Sequence, residues 1–309
     1  MFLNYYADDA ADSVVNLAIA RVVVAALGVW KLLSYDWASI RDWPVYANDY
    51  YLLLVPRWIQ PYLVVEKYLA VVGLVLFALG AAHRYATPVT AVLVAHLGVA
   101  RYTLDPSGAS QALFTIVYLM AFFALYRSQD LLSVDGLRST DAALTDVRSA
   151  LRAARDRAAG RETTTPLTLG LLTVAVLYFG SGVTKLVRGP AWEWATPWNL
   201  GQYTLWAQTY FGVDPGPGAL LLQYPLVVQL AAVAVLVLET GFLPWILAKR
   251  DPTPFVVGLL GMHVGIAVVL GPFFLDQIIF LLLFADWARL LRWVGEVSPL
   301  PGGRPQGQP

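Results

Sequence analysis

Seven of the ionisable residues within the apolar segments of the chain are singled out here, because a charge in such a segment is costly and usually has a partner or a function. They are Arg21, His96, Arg101, Lys185, Glu239, His263 and Asp276. Lys185 is of chemical interest because burial penalises the ammonium form of lysine, and a neutral amine can act as a base. The small residues at positions 180–182 favour close helix packing around it over exposure to lipid. The alternative for each charge is structural: its side chain reaches the interface or pairs with another buried charge.

Depth along the predicted helices indicates which of these charges meet. At about 1.5 Å per residue, Lys185 lies roughly 28 Å along its helix and near the outer face, whereas Glu239 lies toward the inner third of the next helix. We therefore expect no direct pair between Lys185 and Glu239 unless the second helix is broken or shifted. The structural alternative for the inner charges is a network of Arg21, Glu239 and His263.

The composition assigns these residues to a membrane protein. Of 309 residues, 58% are hydrophobic and 14% are charged, against roughly 25% charged in soluble domains. A soluble fold could not keep so apolar a surface in water. Basic and acidic residues balance at 21 each, so there is no basic excess to indicate a nucleic-acid partner. Cysteine is absent and histidine occurs three times, so no metal centre is expected.

Eight apolar segments predict an all-α, polytopic transmembrane bundle, and the pattern is compatible with six to nine spans. The sequence is divided into an N-terminal segment 1–13, a transmembrane domain 14–294 with an inner loop 128–165, and a Pro- and Gly-rich tail 295–309 that is predicted to be disordered. The predicted spans are residues 14–34, 65–82, 87–103, 111–126, 166–187, 224–247, 254–270 and 273–294.

Basic residues in the loops predict the orientation, because cytoplasmic loops carry an excess of Lys and Arg. The segment 127–161 contains seven arginines. With eight spans, Lys249 and Arg250, and later Arg289 and Arg292, fall on the same side as this segment. The sequence therefore predicts a cell-membrane protein with both termini in the cytoplasm.

Two outer loops, residues 35–64 and 188–223, are long and rich in Trp and Tyr, and the second contains Trp192. Amphipathic aromatic side chains favour the membrane interface, so both loops are predicted to form interfacial aromatic segments. The functional alternative is a lid over a site near the outer leaflet.

The segment Leu177–Leu186 (LYFGSGVTKL), followed by Trp192 or Trp194, resembles a motif of the vitamin K-dependent γ-glutamyl carboxylase and its bacterial and archaeal relatives, the HTTM membrane domains. The resemblance covers about residues 10–295, and its other motifs occur in the family's order. These are NLAIARVVVAA with Arg21, HLGVAR ending at Arg101, LETGFLPW with Glu239, GMHVGIAVVLGPFFLDQ with His263, and FADW at 284–287.

The resemblance implies an enzyme that oxidises a reduced menaquinone or vitamin K-type quinol with O₂, so that the strong base formed removes a glutamate γ-proton and CO₂ adds to the carbanion. Lys185 matches the family's catalytic lysine, which deprotonates the quinol, and His263 matches a histidine of a later helix. The implied partners are membrane lipids and a peptide or protein substrate. The expected supporting residues are Tyr178, Gly182, Glu239, Arg21, Arg101 and Trp192.

Two departures from the family leave a second function open. The carboxylases carry a large lumenal domain that has no counterpart after the last predicted span, and their doubled lysine is Thr184–Lys185 here. The alternative is a non-catalytic protein that binds a lipid or quinone and assists the maturation or export of a partner peptide. A solute transporter ranks last, because the sequence shows no internal repeat.

Overall fold

The computed structural model describes residues 10–35, 37, 58–104, 111–125, 133–138, 165–187, 196–211, 216–270, 274–285, 287 and 290. Regular secondary structure within these ranges is entirely helical, and a 3₁₀ turn at Gln60–Tyr62 leads into the second helix. The α-helices are α1 (Ala10–Ser34), α2 (Leu63–Leu79), α3 (His83–Leu104), α4 (Gln111–Leu125), α5 (Val134–Arg138), α6 (Thr165–Val187), α7 (Pro197–Phe211), α8 (Gly216–Leu222), α9 (Pro225–Leu247), α10 (Thr253–Leu270) and α11 (Leu275–Leu282).

Each of the eight predicted spans overlaps one of these helices. Among the described residues, three helices are long and apolar enough to cross a membrane: Val15–Ser34 in α1, Thr165–Val187 and Pro225–Leu247. The stretches Ala112–Leu125 and Thr253–Val269 are apolar but shorter. The all-α fold is confirmed, and these helices indicate a membrane protein. The count of eight spans stays a prediction.

Helices α1 to α4 pack against one another in chain order, and α4 returns to α1, which gives a four-helix group. The turn between α2 and α3 is short because Gly80 takes a left-handed conformation, with φ of 62°. The Ala81 amide then donates to the Leu76 carbonyl at 2.9 Å, and this bond ends α2. Helices α2 and α3 also pack closely against each other, because a Cβ at Gly73 of α2 would come within 2.0 Å of the Thr90 hydroxyl of α3.

Among the described helices, α6 and α9 form the most extensive pair, and α6 joins them to the four-helix group through α4. Helix α10 follows α9 after a turn in which Asp251 accepts hydrogen bonds from the Thr253 amide at 3.0 Å and the Thr253 hydroxyl at 2.6 Å. Helix α11 lies against α1 and α6, while α7 and α8 pack on α9 and α10. Through these contacts, α1, α6, α9, α10 and α11 lie next to one another.

The short helix α5 docks on the turn between α2 and α3. The Asp135 carboxylate accepts a hydrogen bond from the His83 amide at 3.2 Å and contacts His83 Nδ1 at 2.9 Å, while the Asp135 amide donates to the Gly80 carbonyl at 3.2 Å. Burial acts to raise the pKa of Asp135, but hydrogen bonds from the His83 and Ala82 backbone and from the His83 ring outweigh it and hold this pKa below its usual range. The amides of the turn thus hold Asp135 in its charged form.

The two aromatic loops are described only in part. Trp58, Tyr62, Trp198 and Tyr203 are exposed, as residues at a membrane interface would be. Trp37 differs, because it is buried and its indole N–H donates to the Leu32 carbonyl at 2.8 Å. The segment around Trp192, most of the inner loop 128–165, residues 1–9 and the tail from 291 lie outside the described residues.

Candidate functional site

Four residues of α6 face α9 because their spacing returns them to the same side of the helix: Tyr178, Ser181, Gly182 and Lys185. A Cβ at Gly182 would lie 2.7 Å from the Thr240 methyl carbon and 3.1 Å from the Thr240 backbone nitrogen. The two helix backbones therefore meet at Gly182. Gly180 has no such role, since a Cβ there would meet nothing within 4 Å. Close packing, which was expected of this small-residue segment, depends on Gly182.

The centre of the site is an ion pair between Lys185 of α6 and Glu239 of α9. The ammonium of Lys185 contacts both carboxylate oxygens of Glu239 and also the Ser181 hydroxyl, the latter at 3.1 Å. The Ser181 hydroxyl lies 3.3 Å from Glu239 Oε1 and donates to it. The Glu239 side chain is 5% exposed and that of Lys185 is 20% exposed. The pair was expected only if the second helix is broken or shifted, so the assumption of unshifted helices was wrong.

The reason for the error is the stagger of α6 against α9. Gly182 lies five residues before the end of α6, whereas Thr240 lies fifteen residues after the start of α9. The first residues of α9 therefore extend about ten residues, or about 15 Å, beyond the last residue of α6. The depth calculation assumed that both helices start and end at the same two membrane surfaces. With the stagger, a lysine in the last turn of α6 meets a glutamate deep within α9.

A second polar contact lies one to two turns away on the same face of α6. The Tyr178 hydroxyl lies 2.6 Å from Nε2 of His263 on α10, and both side chains are buried, at 6% and 5% exposure. Aromatic rings surround the contact: Phe242 packs edge-on against Tyr178 with centroids 6.3 Å apart, and Phe274 lies 5.7 Å from the His263 ring. The other nitrogen of His263, Nδ1, is buried and has no hydrogen-bond partner among the described residues.

The two contacts belong to one electrostatic environment. The charges of Glu239 and Asp276 interact electrostatically with the Tyr178 hydroxyl, and the charges of Asp276 and Lys185 interact electrostatically with the His263 ring. Asp276, at the start of α11, forms an ion pair with Lys31 of α1 at 3.3 Å. Each of these two acids thus has a lysine partner, as buried charges require.

Two expected supporting residues lie elsewhere, in the four-helix group. Arg21 is buried on α1 and its Nε donates to the Ala78 carbonyl of α2 at 3.1 Å. The Arg101 guanidinium lies over the Tyr35 ring, 4.7 Å from its centroid. The structural alternative, a network of Arg21, Glu239 and His263, is therefore wrong, because Glu239 pairs with Lys185 and His263 with Tyr178. Trp192 lies outside the described residues.

Sequence reasoning missed several partners. Ser181 was noted only for its size, although its position four residues before Lys185 on a helix predicts a side-chain contact. Lys31, Phe242 and Phe274 carried no signal of their own, because their contacts depend on how separate helices pack. His96 was noted as a buried charge, and its partner proves to be Glu66, with His96 Nδ1 at 2.8 Å from each carboxylate oxygen.

Comparison of the chain with protein-family models, with curated proteins and with solved structures gives no match. The resemblance to the HTTM membrane domains stays a prediction that depends on the motifs alone. Of the residues it singled out, Tyr178, Gly182, Lys185, Glu239 and His263 lie together, and Arg21 and Arg101 lie apart from them.

Proposed function

We propose that this chain is a multi-pass protein of the cell membrane that binds a reduced menaquinone or vitamin K-type quinol and acts as a quinol-dependent carboxylase- or epoxidase-like enzyme with Lys185 as base. The observation that carries the proposal is the ion pair of the half-buried Lys185 with the buried Glu239, on the same face of α6 as the Tyr178–His263 contact. A proton-transfer site of this kind needs a basic group within a low-dielectric enclosure.

A planar ring that bears hydroxyl groups would find both apolar and polar partners among these residues. Phe242 and Phe274 supply apolar walls around Tyr178 and His263. Nδ1 of His263 is a buried polar atom whose hydrogen-bonding capacity no described residue uses. When bound, a reduced quinone supplies the reducing equivalents for reaction with O₂. The protein supplies the enclosure, the base and the polar contacts that orient the ring.

Lys185 needs a neutral amine to accept a proton, and Glu239 provides a route to it. A proton passes from the ammonium to the Glu239 carboxylate, which converts the ion pair into a neutral pair. Charge separation is costly in an apolar enclosure, so this exchange requires little energy compared with the same exchange in water. The amine then accepts a proton from a ring hydroxyl, while the Ser181 hydroxyl keeps Lys185 and Glu239 aligned.

A specific observation favours the second candidate function, a non-catalytic lipid- or quinone-binding protein that assists the maturation or export of a partner peptide. Lys185 contacts both oxygens of Glu239 and also Ser181. Such a closed arrangement is also the way in which a purely structural charge is accommodated in a helix bundle. Binding of quinone without turnover would support this candidate.

The test is turnover of purified protein in lipid nanodiscs with reduced menaquinone or vitamin K and O₂, with quinone epoxide as the measured product. We expect turnover by the wild-type protein and a loss of at least about 100-fold in Lys185→Ala, the usual contribution of a general base. Glu239→Gln should also lose activity, because the ammonium then has no carboxylate to receive its proton.

The matched control is Lys67→Ala. Lys67 lies near the start of α2, where its ammonium sits 4.5 Å from the Tyr68 ring centroid, and it should leave turnover unchanged. Equal turnover by the wild type and Lys185→Ala would rule out Lys185 as the base. Adding a Glu-containing peptide and labelled bicarbonate to the same assay tests for carboxylation, with label in the peptide as the positive result.

A further inference from the structure

The contact between Tyr178 and His263 determines which nitrogen of the imidazole carries the proton. A tyrosine hydroxyl has one hydrogen to donate, and a neutral imidazole has one nitrogen that donates and one that accepts. Tyr178 and His263 are almost completely buried and lie 2.6 Å apart, from hydroxyl oxygen to Nε2. The proton must therefore be assigned from the satisfaction of these buried groups.

Two neutral arrangements are available. If Nε2 carries the proton and donates to Tyr178, the tyrosine O–H has no acceptor among the described residues, and Nδ1 has no donor. If Tyr178 donates to Nε2, the proton lies on Nδ1, and this N–H is the single group left without a partner in the described part of the site. Because buried polar groups are nearly always hydrogen-bonded, the second arrangement is favoured.

We infer that Tyr178 holds His263 as the neutral Nδ1–H tautomer, and that this N–H donates to an oxygen acceptor on a ring bound in the site. The identification of that ring as a quinone rests on the proposed function, but the tautomer does not. Tyr178 is thus a positioning residue that acts through His263. Asp276 acts on the ring electrostatically, while its own carboxylate is paired with Lys31 at 3.3 Å.

The chemical consequence is that Lys185 and His263 have different roles toward a bound ring. Lys185 accepts a proton from a ring hydroxyl, and the Nδ1–H of His263 donates to a ring oxygen. A donor stabilises an oxygen that has lost its proton, whereas a nitrogen that only accepts hydrogen bonds would repel it. The same donor binds a ring carbonyl, so the site should accept the oxidised quinone as well as the reduced form.

The experiment is NMR of protein labelled with ¹⁵N-histidine in lipid nanodiscs. The chain has three histidines, His83, His96 and His263, so each signal is assigned by its loss in a His→Asn variant. In the wild type we expect His263 to be neutral with the proton on Nδ1. In Tyr178→Phe the proton should move to Nε2, the form that free imidazole side chains prefer. Tyr203→Phe, which changes an exposed tyrosine, should leave the tautomer unchanged.

The probe for the ligand is oxidised menaquinone added to the same nanodiscs. We expect it to shift the Nδ1 signal of His263 and to leave the signals of His83 and His96 unchanged. The inference is overturned if wild-type His263 carries its proton on Nε2, or if menaquinone leaves the His263 signals unchanged. A purely structural Tyr178 would leave the tautomer in place when it is changed to Phe, because packing alone does not select a nitrogen.

These outcomes separate the inference from the proposed function. If menaquinone shifts the His263 signal and the protein shows no quinol turnover, the enzymatic proposal fails and the inference stands. If the protein turns over quinol with no change at His263, the inference fails and the role of Lys185 stands.

Discussion

The Lys185–Glu239 pair shows how an almost fully buried charge depends on its partner. Glu239 lies in the middle of the α6–α9 contact with 4% of its surface exposed, so its carboxylate has little access to water. Lys185 is more accessible, with 20% of its side chain exposed. The two charges are therefore not equivalent, and their removal should have different consequences.

Replacing Lys185 by Met leaves the Glu239 carboxylate buried without its cation. We expect a loss of about 3–5 kcal/mol in the free energy of unfolding, as for other broken buried pairs. Glu239→Leu should cost less, because the lysine left behind is long enough to reach a more polar environment. The measurement is reversible unfolding in mixed micelles. The double variant should be more stable than Lys185→Met alone, and a double variant that loses the sum of both single losses would contradict this account.

The sequence identified the chemical residues better than their partners. Lys185, Glu239 and His263 were predicted because a charge in an apolar segment signals a cost that must be offset. The spacing of Tyr178 and Lys185, seven residues apart on one helix, also predicts a common face. The pairing of Lys185 with Glu239 was expected only for a broken or shifted helix, since it depends on the stagger between two helices that are joined by a long connection. No local pattern in the sequence encodes that stagger.

At the scale of elements, one glycine determines how closely α6 approaches α9. A Cβ at position 182 would meet both the Thr240 methyl group and the Thr240 backbone nitrogen, so the two helices would have to move apart to accept it. The α6–α9 contact aligns Lys185 with Glu239, and because α10 packs on α9, it also influences how Tyr178 meets His263 of α10. Any separation of these helices should therefore disturb both polar contacts.

Gly182→Ala should destabilise the protein by about 1–3 kcal/mol, the usual cost of overpacking. It should also reduce quinone binding, because Lys185 and Glu239 move apart. Gly180→Ala is the matched control on the same helix, two residues away in open space. That change should be neutral or slightly stabilising, since alanine is the better helix former. The unfolding free energies of the two variants test this difference, and equal values would show that Gly182 does not determine the helix approach.

The docking of α5 on the α2–α3 turn should depend on pH. A carboxyl group whose pKa is lowered by folding stabilises the folded state above its unfolded pKa, and this contribution is lost as the pH falls through the folded value. For Asp135 the unfolded pKa is about 3.8. We expect wild type to exceed Asp135→Asn by about 0.5–1 kcal/mol at pH 5, and the difference to shrink as the pH falls toward 3.

Unfolding of both proteins between pH 5 and pH 3 measures this difference. His83→Gln separates the two causes, because the backbone amides of residue 83 and Ala82 remain while the ring contact is removed. The pH dependence should persist in that background with a smaller amplitude. A difference that grows on acidification would mean that the Asp135 carboxylate does not stabilise the docked helix in its charged form.

The apolar segments of the sequence located the helices well, and the aromatic loops less well. Helices α7 and α8 lie in a loop that was predicted only as an interfacial segment. Helix α8 begins at Gly216, within a Pro- and Gly-rich stretch that is typical of turns. Gly218 is needed there for packing, because a Cβ would lie 2.9 Å from the Val269 carbonyl oxygen of α10. Such tertiary contacts override local propensity and leave no periodic signal.

At the scale of the whole molecule, the open question is how many helices cross the membrane. Within the part of the chain that the structure describes, three helices are long and apolar enough by themselves. Helix α2 is one residue shorter than that length and carries Glu66 and Lys67 in its first turns, and α3 begins with His83 and Arg84, yet both helices share a core with α1 and α4. Glu66 of α2 pairs with His96 of α3, and this pairing lowers the free-energy cost of placing both helices in a bilayer. We therefore keep the prediction of eight spans.

A pair of single-cysteine variants tests that prediction, and the absence of native cysteine makes the labelling unambiguous. Trp58 and Arg84 are both exposed and lie at opposite ends of α2. With eight spans, a membrane-impermeant maleimide added outside intact cells should label Trp58→Cys and leave Arg84→Cys unlabelled until the membrane is permeabilised. If only α1, α6 and α9 cross, both cysteines lie on one side and show the same labelling pattern. The backbone amide of residue 135 donates to the Gly80 carbonyl, and Asp135→Cys keeps that bond, so this variant should follow Arg84→Cys in either case.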